Sequence, residues 1–247
     1  DSKLPPSTLA ALAGISGATS LSIDPHKLGF VPKGCGALLL ADARWASFAG
    51  ETAGYFADDR DCGLQFGPRH TLSSGIEGSR SGRAPMSCYI NHRLTPLHRD
   101  GLGEVLEGGI RIAQSAGQRM PSLSIGSIRL HPLHHPDSNI LCVIVGRPGE
   151  TLAQFNRHTA AFAAAVGDDG TQVCSLISFR PGDSKILFEK LLPELGVAEV
   201  EGHELLALRF VFSNPDLGPD WTERFLATGE KVLIQALKQE APGGGEG

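Results

Sequence analysis

The sequence predicts an α/β chain whose front is rich in short strands and whose rear is a compact α+β domain. Three observations predict it. Short apolar runs bounded by turn residues, such as Ala37-Leu38-Leu39-Leu40, have the length of strands rather than helices. Behind them, from about residue 102 to 238, apolar stretches of strand length alternate with longer stretches of helical period. The 247 residues include 31 glycines and 16 prolines, with 41% hydrophobic and 20% charged. That balance suits a turn-rich enzyme with a buried core and argues against a coiled coil or a disordered scaffold.

Taken in order, Pro5 and Pro6 followed by Ser7 start a short apolar helix over residues 8–12, which ends near Gly14. Residues 19–23 read as a strand, Asp24-Pro25 as a turn, and 34–40 as a second strand. Residues 41–75 are mixed and turn-rich, and their Asp58-Asp59-Arg60-Asp61 cluster reads as a solvated loop. A helix is expected over 102–115, with Leu102, Val105, Leu106 and Ile110 near one face; Gly108-Gly109 weakens it and Pro121 stops it. A His/Pro-rich turn then leads to a strong strand at 140–145. A helix over 151–166 is closed by Gly167, and strands follow at 173–179 and 205–212. A terminal helix over 221–238 and a flexible tail complete the order.

The net charge of −5 and pI near 6.0 exclude a chain-wide electrostatic grip on nucleic acid. Arg80, Arg83, Arg93 and Arg99 are the densest basic group and match no nucleic-acid reader pattern. No apolar stretch approaches a membrane span, and residues 1–9 lack the basic and apolar regions of a signal peptide. Cys35, Cys62, Cys88, Cys142 and Cys174 are odd in number and widely spaced, without a CxxC pair. They suggest free thiols in a reducing, cytoplasmic setting rather than a disulfide framework or thiolate metal site. The chain opens on Asp1, as expected of a processed product, one piece of a split enzyme, or a chain whose front half lies elsewhere.

The segment Ser22-Ile23-Asp24-Pro25-His26-Lys27-Leu28-Gly29-Phe30 carries the chemistry. A lysine amine bonds to an aldehyde cofactor best when its surroundings disfavour its charge, and a tight turn just after a strand would hold it rigidly. Pro25 stiffens the approach, Gly29 permits a close backbone pass, and His26 could reach a phosphate or a carboxylate. By residue types alone, an Asp-Pro-His-Lys run is more often a surface turn than a catalytic site.

The longer run from Gly17 through Pro32, continued by Gly34-Cys35-Gly36-Ala37-Leu38-Leu39-Leu40, resembles the cofactor-lysine segment of the group II pyridoxal-phosphate-dependent amino-acid decarboxylases. That family includes glutamate, aspartate, tyrosine and aromatic amino-acid decarboxylases. The resemblance implies that Lys27 is the Schiff-base lysine and that His26 lies near the phosphate of pyridoxal 5'-phosphate. It also implies the aspartate-aminotransferase-like fold type I, of which this chain would be the C-terminal part. Residues 1–98 would end the large cofactor-binding domain, 99–120 would form a connecting helix, and 121–240 a small α+β domain, with 241–247 a tail.

Glu77-Gly78-Ser79-Arg80 resembles the family's Gly-Ser-Arg stretch, which approaches the partner subunit's cofactor phosphate; Gly78 and Ser79 are the candidate contacts. Backbone N–H groups and a hydroxyl do suit an anion. Leu208-Arg209-Phe210 with Ser213-Asn214-Pro215 resembles the family's C-terminal strand and Asn-Pro ending, where Arg209 would contact a substrate carboxylate or brace the domain. The implied activity is decarboxylation of a small L-amino acid in a homodimer, or with a second chain supplying the upstream half, without nucleic acid or membrane. Carbon–carbon lyase chemistry on the same fold, or an inactive fragment with a structural role, are the alternatives. The family's phosphate segment, ring-stacking His and ring-pairing Asp precede its lysine by enough residues to fall before Asp1, so this chain alone is expected to be incomplete as an enzyme. The family's protonating tyrosine has no convincing counterpart in Tyr55 or Tyr89.

His131, His134, His135 and Asp137 are the one group resembling metal ligands, but their spacing matches no zinc pattern and they read as a surface turn. Ser20, Ser22 and His26 lack a Gly-x-Ser-x-Gly elbow, and Gly78 and Gly82 do not form a Walker loop.

Overall fold

The computed structural model describes residues 4–42, 44–45, 81–169, 174–198, 200, 204–213, 220, 223, 227–231 and 234. They divide into two compact units, one of Pro6–Gly103 and one of the residues before Pro6 together with those from Glu104 onward.

In the first unit, helix α1 (Pro6–Ala13) has proline at its first position, where the missing N–H costs nothing, and tightens into a 3-10 turn at Gly14–Gly17. Strands β1 (Ser20–Ile23) and β2 (Ala37–Leu40) pair antiparallel, from Ser20 opposite Leu40 to Ile23 opposite Ala37. The lysine segment is the loop that joins them. Helix α2 (Arg83–Leu94) was not expected from the sequence. Pro85 is tolerated because it lies in the first turn, ahead of the intrahelical N–H bonds. Much apolar surface in this unit is open: Leu38 is 60% and Leu94 79% exposed, and Leu39, Met86, Tyr89 and Ile90 are exposed as well.

The second unit is built on a five-stranded antiparallel sheet of order β3-β4-β5-β7-β6. Its strands are β3 (Ser124–Ile125), β4 (Ile128–Pro132), β5 (Ile140–Gly146), β6 (Ser175–Phe179) and β7 (Leu205–Val211). Every residue of β5 after Ile140 is buried, which explains its unbroken apolar run: a strand covered on both faces needs no polar alternation. Leu141, Val143 and Val145 point to one face with Leu208 and Phe210, under Ala113 and Ala116 of α3 (Glu104–Arg119) and Phe162 and Ala165 of α4 (Leu152–Asp169). Ile144, Leu205 and Ala207 belong to a second cluster with Leu152, Phe155, Leu187, Phe188 and Leu192. Leu187 and Phe188 come from a π turn at Leu187–Leu191 that runs into the short α5 (Leu192–Glu194) and that the sequence pattern did not announce.

Of the expected terminal helix, residues 223, 227–231 and 234 are helical and the rest lies outside the described residues. Glu223 receives a bidentate pair of hydrogen bonds from Arg119 at 2.6 and 2.7 Å. Among the described residues no helix is long and apolar enough to cross a membrane.

Candidate active site around Lys27

The loop between β1 and β2 is held by its own backbone. Lys27 N–H donates to Asp24 O at 2.9 Å, Phe30 N–H to Lys27 O at 3.1 Å, and Val31 N–H to Pro25 O at 3.1 Å. Two tight turns are thus nested around Lys27. Phe30 takes a positive φ of 54°, an uncommon conformation for a non-glycine residue. A side chain at Gly29 would meet the Pro25 carbonyl oxygen at 2.6 Å, so the close backbone pass expected of this glycine is real. The loop is tied to α2 by Asn91 Nδ2, which donates to Gly29 O at 2.8 Å, and by the Cys35 thiol, 3.7 Å from Ala84 O.

Lys27 stands at the tip of this scaffold with its side chain 68% exposed and Nζ 2.7 Å from Asp24 Oδ2. Asp24, a turn residue by its sequence, is also the lysine's ion-pair partner, one turn back at i,i+3. The Lys27 amine, by donating to it, holds the Asp24 carboxyl below the usual carboxylate range; desolvation opposes this, and the charges of Lys27 and His26 add smaller downward pushes. The ion pair differs from the charge-disfavouring surroundings that ideal amine chemistry asks for. Asp24 instead keeps the amine oriented as a hydrogen-bond donor, and that contact must be given up before the nitrogen lone pair can attack.

His26 is half-buried beside it. Its Nδ1 donates to Cys35 O at 2.6 Å and lies 4.0 Å from Asp24 Oδ1, and its N–H reaches the same carbonyl at 3.4 Å. With Nδ1 engaged in this way, Nε2 is the nitrogen left for an external group. A cleft of about 440 Å³ runs behind the loop, lined by Pro25, Cys35, Ala37, Cys88, Tyr89 and His92 among others. His92 Nδ1 is buried there without a hydrogen-bond partner.

The structure therefore brings Lys27 and His26 into one loop. Gly78 and Ser79 lie outside the described residues. Arg209 sits on β7 in the other unit, opposite Cys142 of β5 and Ser175 of β6, half-buried within the sheet. Its charge eases the Cys142 thiol downward against the larger upward push of burial. Of the His/Asp turn, His131 packs its ring 5.9 Å from that of Phe155 and donates to Gly146 O at 3.1 Å, while burial pushes its pKa down. His134 Nε2 accepts the Cys142 N–H at 3.2 Å. Asp24, Asn91 and His92 were missed from the sequence; only Asp24, at helical spacing from the lysine, carried a readable signal.

No family model matches the chain. It is 28% identical over 165 residues to an L-tyrosine decarboxylase of Levilactobacillus brevis, covering 64% of this chain and 25% of that protein. An L-tyrosine decarboxylase of Enterococcus faecium is 28% identical over 131 residues, 51% of this chain and 21% of the relative. The chain thus spans about a quarter of the length of the curated relatives it matches. Among solved structures, a Catharanthus roseus tryptophan decarboxylase superposes with TM-score 0.64 at 13% identity, over 94% of this chain and 42% of the other. The glutamate decarboxylase domain of a Vibrio parahaemolyticus protein gives TM-score 0.56 at 16% identity, over 93% and 37%. The chain has the α/β fold type I, aspartate-aminotransferase-like architecture of the group II pyridoxal-phosphate decarboxylases, with an α+β domain of the C-terminal kind.

Proposed function

We propose that this chain is the lysine-bearing and C-terminal portion of a pyridoxal-phosphate-dependent enzyme that converts an L-amino acid to its amine and carbon dioxide. The observation that carries the reading is Lys27: its amine projects from a doubly hydrogen-bonded turn directly after a strand, in a chain with this fold. Two matched relatives act on tyrosine by name, which makes an aromatic L-amino acid the first substrate to test.

The residues present fit covalent attachment of an aldehyde cofactor. The amine is accessible, its base is rigid, and its ion-pair partner among the described residues, Asp24, is itself partly solvated and can release it. When bound, pyridoxal phosphate supplies the electron sink that takes up the pair left by the departing carboxylate. The protein's part is positional. Asp24 Oδ2 accepts a hydrogen bond from the Lys27 amine and orients it, and the Cys35 carbonyl accepts from His26 Nδ1, so that Nε2 is the nitrogen that would meet a cofactor phosphate. We assign Gly78 and Ser79 to phosphate contacts on the resemblance of their segment. Arg209 braces the small domain, since it lies within a sheet between two paired strands.

In domain terms, the end of the cofactor-binding domain precedes a connecting helix and a small α+β domain; the separation of two compact units between Gly103 and Glu104 supports a two-part organisation. A two-stranded ribbon is marginal by itself, and the open apolar residues on β2 and α2 call for a covering polypeptide. We assign that role to the remaining portion of the fold, on the same polypeptide or a second chain, in a dimeric enzyme.

Borohydride reduction of the complete assembly with pyridoxal phosphate, followed by peptide mapping, tests the assignment. The cofactor should be fixed to Lys27, and a Lys27→Ala variant should lose both the label and amine release. Labelling of a different lysine, or none in an assembly that contains the whole fold, would sink it.

A further inference from the structure

Two thiols meet behind the lysine loop. Cys35 closes the loop and is 6% exposed, while Cys88 is half-buried on α2. Both line the same cleft. The Cys35 sulfur lies 3.7 Å from Ala84 O, and Ala84 precedes Cys88 by one helical turn on the same helix face. Burial pushes the Cys35 thiol up, and the nearby Cys88 adds to that push. Neither thiol has a part in the cofactor chemistry proposed for Lys27 and His26.

We propose that Cys35 and Cys88 are a reversible modification site, a dithiol that a low-molecular-weight disulfide such as oxidised glutathione converts to an intramolecular disulfide. The more open Cys88 attacks first. Its thiolate bonds to one sulfur of the oxidant, the oxidant's S–S bond breaks, and one glutathione thiolate leaves. Cys35 then attacks the Cys88 sulfur, forming the Cys35–Cys88 bond and expelling the second glutathione. The two protons lost by the cysteines end on the two glutathione thiolates, so two thiols are oxidised and one disulfide is reduced to two thiols. Burial and the raised pKa make Cys35 the resolving rather than the attacking group. The Cys35 carbonyl is the acceptor for both His26 Nδ1 and His26 N–H, so the new bond ties the base of the lysine loop to α2, near the tether from Asn91 to Gly29. Such a contact-poised pair suits redox sensing more than a permanent structural bridge.

The test uses the full chain with Cys62→Ser, which removes the thiol outside the described residues. The protein is equilibrated with oxidised and reduced glutathione at graded ratios, quenched in acid, alkylated and mapped without reduction. A peptide linking Cys35 to Cys88 should appear, alkylation of both should be lost together, and Cys142 and Cys174 should remain alkylatable. Cys35→Ser should leave glutathione stably attached to Cys88, and Cys88→Ser should abolish the cross-link without glutathione reaching Cys35. The proposal is overturned if the parent keeps glutathione on Cys88 with Cys35 free, or if both thiols stay unmodified in excess oxidant. The readout is sulfur chemistry without cofactor, so its failure is distinct from failure of the Lys27 assignment.

Discussion

Gly29→Ala should loosen the lysine loop while leaving the second unit untouched. The added methyl would lie 2.6 Å from Pro25 O, 3.0 Å from its Cα and 3.2 Å from its carbonyl carbon. All three are backbone atoms, so no side chain can swing aside and the two arms of the turn must separate. Separation strains two hydrogen bonds, from Val31 N–H to Pro25 O and from Asn91 Nδ2 to Gly29 O. At roughly 0.5–1.5 kcal/mol for each, less the roughly 0.4–1 kcal/mol that alanine gains by restricting the unfolded chain, the net local cost is centred at about 1.3 kcal/mol. Native-state hydrogen exchange at the Val31 amide reads it directly, because about 1.4 kcal/mol corresponds to a tenfold change in opening. Val31 exchange should accelerate by about one order of magnitude, with the β5 amides unchanged. Unaltered exchange at Val31 would refute the nested-turn account, and equal acceleration in β5 would show a global effect instead.

Three further outcomes are expected. Gly108→Ala, which meets nothing within 4 Å, should stabilise α3 by about 0.5–1 kcal/mol, whereas Gly109→Ala, whose methyl would strike the Phe212 carbonyl, should cost about 1–3 kcal/mol. Urea midpoints moving in the same direction would contradict the packing of α3 against the end of β7. Phe155→Ala removes a fully buried ring and should cost about 3–5 kcal/mol by chemical denaturation; a loss below about 1 kcal/mol would mean that the second core cluster is not packed as described. The folded pKa of Asp24 lies below its unfolded value near 3.9, so its contribution is present above about pH 4 and fades as pH falls through the folded value. Asp24→Asn should therefore differ from the parent in loop protection near neutral pH, and the two should converge in acid; a gap that persists unchanged to low pH would rule out the ion pair as its source.

What was readable in the sequence follows from how far each contact reaches along the chain. The apolar run of β5 and the helical period of α4 report burial on both faces or on one stripe, and the structure places both close to their expected bounds. Helix α2 has no comparable pattern: Pro85 stands in its first turn, its last turn holds His92 and Arg93, and none of its residues is buried. Propensity is a weak prior for such a segment, and contacts with distant residues carry the decision. Gly108-Gly109 looked like a single weakness in α3, yet one glycine faces open space and the other is needed where a backbone carbonyl comes close, a distinction that only the third dimension supplies. The same division runs through the candidate site. Lys27, His26 and Asp24 lie within four consecutive residues, and a short motif preserves that arrangement whatever surrounds it. The groups that hold the loop against α2 do not have that property. Asn91 reaches Gly29 across 62 positions and Cys35 reaches Ala84 across 49, and no local period records such pairings. The identity of the reactive amine was thus encoded locally, while its rigidity depends on long-range contacts. A variant that removes Asn91 should accordingly alter the loop around Lys27 without changing a single residue of the motif by which the lysine is recognised.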